Sequence, residues 1–144
     1  MSPRRSRIVL FAVAGVVVLV LLGLFGMSWW HTRGQVANLF DLKGVPWSVR
    51  SAHCKSVFTS DILLTCAFRV DGRDFPKLLA GEKFSQTPTE YKHAHDFPMA
   101  LDLGDNFVPA FHYLAIPKGA EHGGALDVFA DASKTHVLAH LYIE

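Results

Sequence analysis

The sequence predicts one N-terminal transmembrane helix followed by a small, mainly antiparallel β domain, a sandwich or an open barrel, with one short helix. Three observations predict it: a charge-free apolar run over residues 8–30, apolar residues at every second position in later segments, and turn residues between those segments. The 144 residues suffice for one modest domain. The expected organisation is a basic tip at 1–7, a membrane helix at 8–30, a linker at 31–46 and the β domain at 47–144. A frayed helical extension, whose residues 38–42 dock on the domain, is the alternative for the linker.

The apolar run is long enough to cross a bilayer. A helix over residues 8–30 reaches about 35 Å, against a hydrocarbon core of about 30 Å. Residues 16–22 are apolar on every side, whereas a soluble helix would keep a polar face. Trp29 and Trp30 end the run, and indoles favour the headgroup layer of a membrane. The lipid bilayer is therefore the first expected partner.

Charge gives the orientation. Three of the 14 basic residues, Arg4, Arg5 and Arg7, precede the run. The part of the chain after the run contains the other 11 basic residues and all 13 acidic residues, so it is slightly acidic. The positive-inside rule places the tip in the cytoplasm and the C-terminal domain outside it, with a bacterial inner membrane and periplasm favoured. No basic cluster with stacking side chains predicts nucleic-acid binding.

A cleaved signal peptide is the alternative for this run. Its apolar core would be about 7–15 residues long and would end at a small-x-small cleavage site. The run in this chain is longer, and its one passable site, residues 26–28, leads directly into the two tryptophans. The length favours an uncleaved anchor.

The first predicted hairpin brings the two cysteines together. Residues 47–58 and 62–70 are predicted strands joined by a short polar loop, which pairs Phe58 with Ile62 and therefore Cys54 with Cys66. Directly opposed residues lie about 4.5–5.5 Å apart, which a disulfide can bridge. A bridge of this loop size would add roughly 3 kcal/mol in the chain-entropy model. Two buried free thiols are the alternative.

In the rest of the domain, glycine and proline residues mark the ends of the predicted elements. Residues 74–81 predict a short helix, and 82–99 a long loop with a short strand near 91–95. Residues 107–116 predict an extended segment at an edge or bulge because of Pro109. Residues 125–130 and 136–143 predict a last hairpin, with a C-terminal helix as the alternative for the second segment.

Eight histidines raise the possibility of a metal site. His93 and His95 would share one face of a strand, and His122 in a glycine-rich loop could complete a zinc or copper site. The spacing lacks the fixed pattern of zinc motifs, so solvated loop histidines are the simpler interpretation.

No catalytic motif is present, and the chain is not expected to be an enzyme. The predicted function is binding or assembly: a subunit or accessory of an envelope complex, or an immunity-type protein, with a protein partner in the membrane or periplasm. The partner could bind by adding a strand to a free edge of the sheet. Phe107, Phe111 and Tyr113 are the candidate anchors, and simple core packing is the alternative for them. A histidine-based zinc or copper protein of the envelope is the second hypothesis.

Overall fold

A computed structural model describes residues 3–58, 61–90, 107–118, 120 and 123–144. The predicted fold class is confirmed: a long apolar helix precedes a six-stranded antiparallel sheet and one short helix. The elements in chain order are α1 Pro3–Leu39, β1 Arg50–Phe58, β2 Ile62–Arg69, α2 Phe75–Leu78, β3 Ser85–Thr87, β4 Phe111–Ala115, β5 Gly124–Ala130 and β6 His136–Ile143. The chain divides into two compact units, Met1–His31 and Thr32–Glu144.

The apolar part of α1 is exposed from Val13 onward. Within the described residues it is the one helix long and apolar enough to span a membrane, and none of its apolar window is buried. Phe25 and Met27, for example, are 76% and 74% exposed. Such a surface is costly in water and stable in lipid, where the helix satisfies its own backbone hydrogen bonds.

The predicted linker is largely part of the folded unit. α1 continues to Leu39, and Val36, Leu39 and Phe40 are almost completely buried in the core. These residues form one apolar stripe of helical spacing, which the polar residues before them obscure in the sequence. The Leu42 amide donates to the Ala37 carbonyl (2.9 Å) and Asp41 has a φ of 51°, so a Schellman motif ends the helix.

The sheet has the strand order β1-β2-β6-β5-β4-β3, with antiparallel pairing throughout. The predicted first hairpin is confirmed in register, since Phe58 pairs with Ile62 and Cys54 with Cys66. The last hairpin is confirmed too, with β6 as a strand that lies between β2 and β5. The C-terminal strand therefore joins the two halves of the sheet.

One face of the sheet packs against the helices. The end of α1 and the apolar residues of α2, Phe75 and Leu78, cover side chains from β2, β4, β5 and β6. Gly81 follows α2 where the chain passes the Phe40 and Asp41 carbonyls so closely that a Cβ atom would overlap the Phe40 oxygen. Glycine is required there by contact with the end of α1.

Candidate functional site

Two hydrogen-bonded groups of polar side chains lie side by side on the sheet face opposite α2. Because side chains alternate along a strand, Leu126 and Val128 face the core while Asp127 between them faces the other way. The same alternation brings five polar residues from five neighbouring strands to this second face, and we call them the histidine network: Thr65, Thr87, His112, Asp127 and His140.

His112 is held from both ring nitrogens. Its Nε2 lies 2.6 Å from Asp127 Oδ1, and its Nδ1 lies 2.8 Å from Thr87 Oγ1. When Nε2–H donates to the carboxylate, a neutral ring has Nδ1 free to accept the threonine proton. The ring also stacks on Phe129, with centroids 4.3 Å apart and an interplanar angle of 13°. The position and orientation of the His112 ring are thereby specified.

His140 is placed opposite Asp127 across the β5–β6 pair. Its Nδ1 lies 2.7 Å from the hydroxyl of Thr65, a side chain with only 1% exposure. Burial lowers the pKa of His140 from its ordinary value of 6.5, and the negative charge of Asp127 offsets only part of this effect. A neutral imidazole at neutral pH is the consequence.

The order Thr87–His112–Asp127 is the hydroxyl–imidazole–carboxylate order of hydrolase triads. The second hydroxyl, that of Thr65, is buried and bonded within the sheet. No buried side-chain nitrogen or oxygen in the described ranges lacks a hydrogen-bond partner. A fully satisfied network of this kind rigidifies a sheet. These hydrogen bonds join side chains of neighbouring strands.

Of the three residues predicted as partner anchors, two are buried and one is partly buried. Phe107 and Tyr113 are 4% and 8% exposed, and Phe111 packs against the core. The ammonium of Lys134 lies 4.5 Å from the Phe111 ring centroid and 5.9 Å from that of Tyr113, a cation–π arrangement within one chain. This burial agrees with core packing, the alternative to partner binding that the sequence left open for the three aromatic residues.

The edges of the sheet also differ from the prediction for residues 107–116. β4 is internal, between β3 and β5, and the edge strands are β1 and the three-residue β3. Pro109 precedes β4, so its missing amide removes no hydrogen bond from the sheet.

The other predicted residues are placed as follows. Cys54 and Cys66 form the predicted disulfide. Trp29 and Trp30 are 42% and 69% exposed near the end of the apolar run, with ring centroids 6.3 Å apart. The basic residues of the tip, Arg4, Arg5 and Arg7, lie in the first turns of α1.

The predicted metal ligands His93, His95 and His122 lie outside the described residues. In the part of the chain that the structure describes, no three histidine, cysteine or acidic side chains are grouped to hold a metal ion. The zinc or copper site stays a prediction.

The free edge of β1 has a defined hydrogen-bonding pattern. Cys54 and Cys66 have Cα atoms 4.1 Å apart, close to the about 4.5 Å of a non-hydrogen-bonded pair and well below the about 5.5 Å of a hydrogen-bonded one. The neighbouring Lys55–Thr65 pair is then hydrogen-bonded, and the peptide groups of Cys54 and Ser56 point away from β2. No other described strand pairs with this edge.

No protein-family model matches the chain, and comparison with curated proteins and with solved structures gives no match either.

Proposed function

We propose that the protein is a single-pass membrane protein whose folded domain lies outside the cytoplasm and binds or assembles with a protein partner. One observation carries the proposal: the apolar window of α1 is long enough to span a membrane and is not buried anywhere in the structure. The folded unit begins at Thr32, two residues after the apolar run ends, so a run anchored in lipid keeps the domain close to the membrane.

Two observations, one on each side of the apolar run, support the orientation. Arg4, Arg5 and Arg7 favour a cytoplasmic N-terminus. The disulfide between Cys54 and Cys66 is typical of an oxidising compartment such as the periplasm.

The partner contact that fits this structure is the outer edge of β1. The peptide groups of Cys54 and Ser56 offer donors and acceptors in strand geometry, and the side chains of His53, Lys55 and Ser56 are exposed. An extended segment of a partner protein satisfies such an edge by adding a strand. The other edge strand, β3, has only three residues and offers much less backbone.

Topology is tested on the full chain in bacterial cells. Protease added to spheroplasts should digest the domain while an N-terminal epitope stays protected, and the mature chain should keep its full mass. A mature N-terminus at Trp29, or digestion of the domain only after lysis, would contradict the anchor and its orientation.

Partner binding is tested with a photo-crosslinking residue at position 56. A discrete adduct is expected in intact membranes, and Ser56→Pro should abolish partner co-purification because proline removes the outward amide. Ser56→Ala is the matched control, since it keeps that amide and should retain the partner. Equal retention by both variants would refute β1 pairing.

A further inference from the structure

One arginine fastens the loop at residues 45–49 to α1. The guanidinium of Arg33 donates from Nη1 to the Val49 carbonyl (2.8 Å) and from Nη2 to the Val45 and Pro46 carbonyls (both 2.9 Å). A longer contact of 3.4 Å reaches the Trp47 carbonyl. Because hydrogen bonds from a charged donor are strong, this set fixes the loop on the helix.

Within this loop, Trp47 is the side chain that turns away from the core. Val49 is only 1% exposed, whereas the much larger Trp47 is 77% exposed. The indole ring centroid lies 5.1 Å from Arg33 Cζ, so the same arginine that holds the loop also lies against the ring. A single exposed aromatic residue is ordinary on a soluble surface, so exposure alone assigns nothing.

The position of Arg33 along α1 gives this exposure a meaning. Arg33 follows Trp30, the last residue of the charge-free run, by three residues, so the chain alone keeps their Cα atoms within about 11 Å of each other. The headgroup layer is about 5–8 Å thick on each side of a bilayer. When residues 8–30 span the membrane, the chain therefore keeps Arg33, and the loop fastened to it, in or beside that layer.

We propose that the indole of Trp47 inserts into the lipid headgroup layer and anchors the folded domain to the membrane surface. Tryptophan favours this layer because its ring is apolar and its N–H still finds polar partners there. Trp29 and Trp30 anchor the helix, and Trp47 adds a contact from the domain. The inference rests on the proposed membrane anchor.

The chain has three tryptophans, which makes each contact separable by fluorescence. A Trp29→Phe/Trp30→Phe double variant leaves Trp47 as the one indole, and Trp47→Phe leaves the helix pair. Both full-length variants are reconstituted into phosphatidylcholine vesicles containing lipid brominated either near the glycerol end or near the methyl end of the acyl chains. As a control for folding, disulfide formation and thermal unfolding of both variants are compared with those of the unaltered chain.

We expect lipid brominated near the glycerol to reduce Trp47 emission more than the deep-brominated lipid does, with a loss comparable to that of the Trp29–Trp30 pair. Aqueous iodide should quench Trp47 weakly. Strong quenching of Trp47 by iodide, with no loss in brominated vesicles, would overturn the inference while lipid quenching of the Trp29–Trp30 pair keeps the anchor. Absence of lipid quenching for both variants would overturn the anchor itself and the inference with it.

Discussion

The two faces of the sheet are stabilised in different ways. The face against α1 and α2 consists of apolar side chains such as Phe68, Leu126 and Val137, which pack around Phe40. The opposite face contains the histidine network, in which each polar group has a specific partner. Burial of apolar area is non-directional, whereas hydrogen bonds require one donor and one acceptor at a fixed distance.

This difference teaches which changes each face tolerates. The core face should accept a side chain of similar volume and lose stability in proportion to the volume removed. The second face should accept a replacement that keeps the hydrogen-bond acceptor, and should lose stability when one partner is left alone. It alone should respond to mild acid, because it contains the half-buried His140.

The largest expected effect is on the core face. Phe40 has no exposed surface and packs edge-on against Phe68, with ring centroids 6.1 Å apart. Phe40→Ala should lower the free energy of unfolding by about 3–5 kcal/mol, since it removes a buried ring and leaves a cavity. Denaturant unfolding of the full chain in detergent micelles measures this. Phe40→Leu retains most of the volume and should cost clearly less; equal losses would show that volume is not what matters there.

The sequence was sufficient for the parts of this comparison that depend on local pairing. The loop between β1 and β2 is short, so the Cys54–Cys66 register follows from the loop length and the two-residue period. For the last hairpin the sequence predicted the two strands but not their register, and in the structure Asp127 lies opposite His140. The register of that hairpin is the signal that leads to the histidine network.

The rest depends on contacts between distant segments. His112 reaches Asp127 because β4 pairs with β5, and Thr65 reaches His140 because β2 pairs with β6. No short turn connects β4 to β5 or β2 to β6, so the length of a loop does not set the register of either pair. The sequence therefore does not show which polar residue on the neighbouring strand each of these side chains meets. For residues 31–46 the sequence left a linker and a docked helical extension open, and only the tertiary structure shows that α1 continues to Leu39 and that Phe40 is buried.

A smaller loss is expected when the histidine network loses its carboxylate. Asp127→Ala leaves Nε2 of His112 without the acceptor at 2.6 Å and should destabilise the domain by about 1–2 kcal/mol. Asp127→Asn keeps an acceptor oxygen at the same position and should recover much of this loss. Denaturant unfolding measures both variants. If Asp127→Asn is as destabilised as Asp127→Ala, charge rather than hydrogen bonding holds His112.

The smallest effect is a pH dependence confined to the second face. Burial depresses the pKa of His140 below 6.5, so at mildly acidic pH the unfolded chain binds more protons than the folded one. The contribution of this group to stability is therefore complete above about pH 6.5 and is lost as the pH falls toward the folded pKa. Thermal unfolding between neutral and mildly acidic pH should show this loss.

His140→Gln should remove that component, because glutamine can still accept the Thr65 hydroxyl but has no proton to bind in this range. The matched control is His53→Gln, a change at an exposed position of edge strand β1, which should leave the pH dependence in place. If His53→Gln flattens the profile as much as His140→Gln does, the acid response does not arise from the buried ring. If only His140→Gln removes the dependence of thermal stability on pH, the sensitivity to mild acid arises from the sheet face that contains the histidine network. The face that packs against α1 and α2 would then be the pH-independent part of the fold.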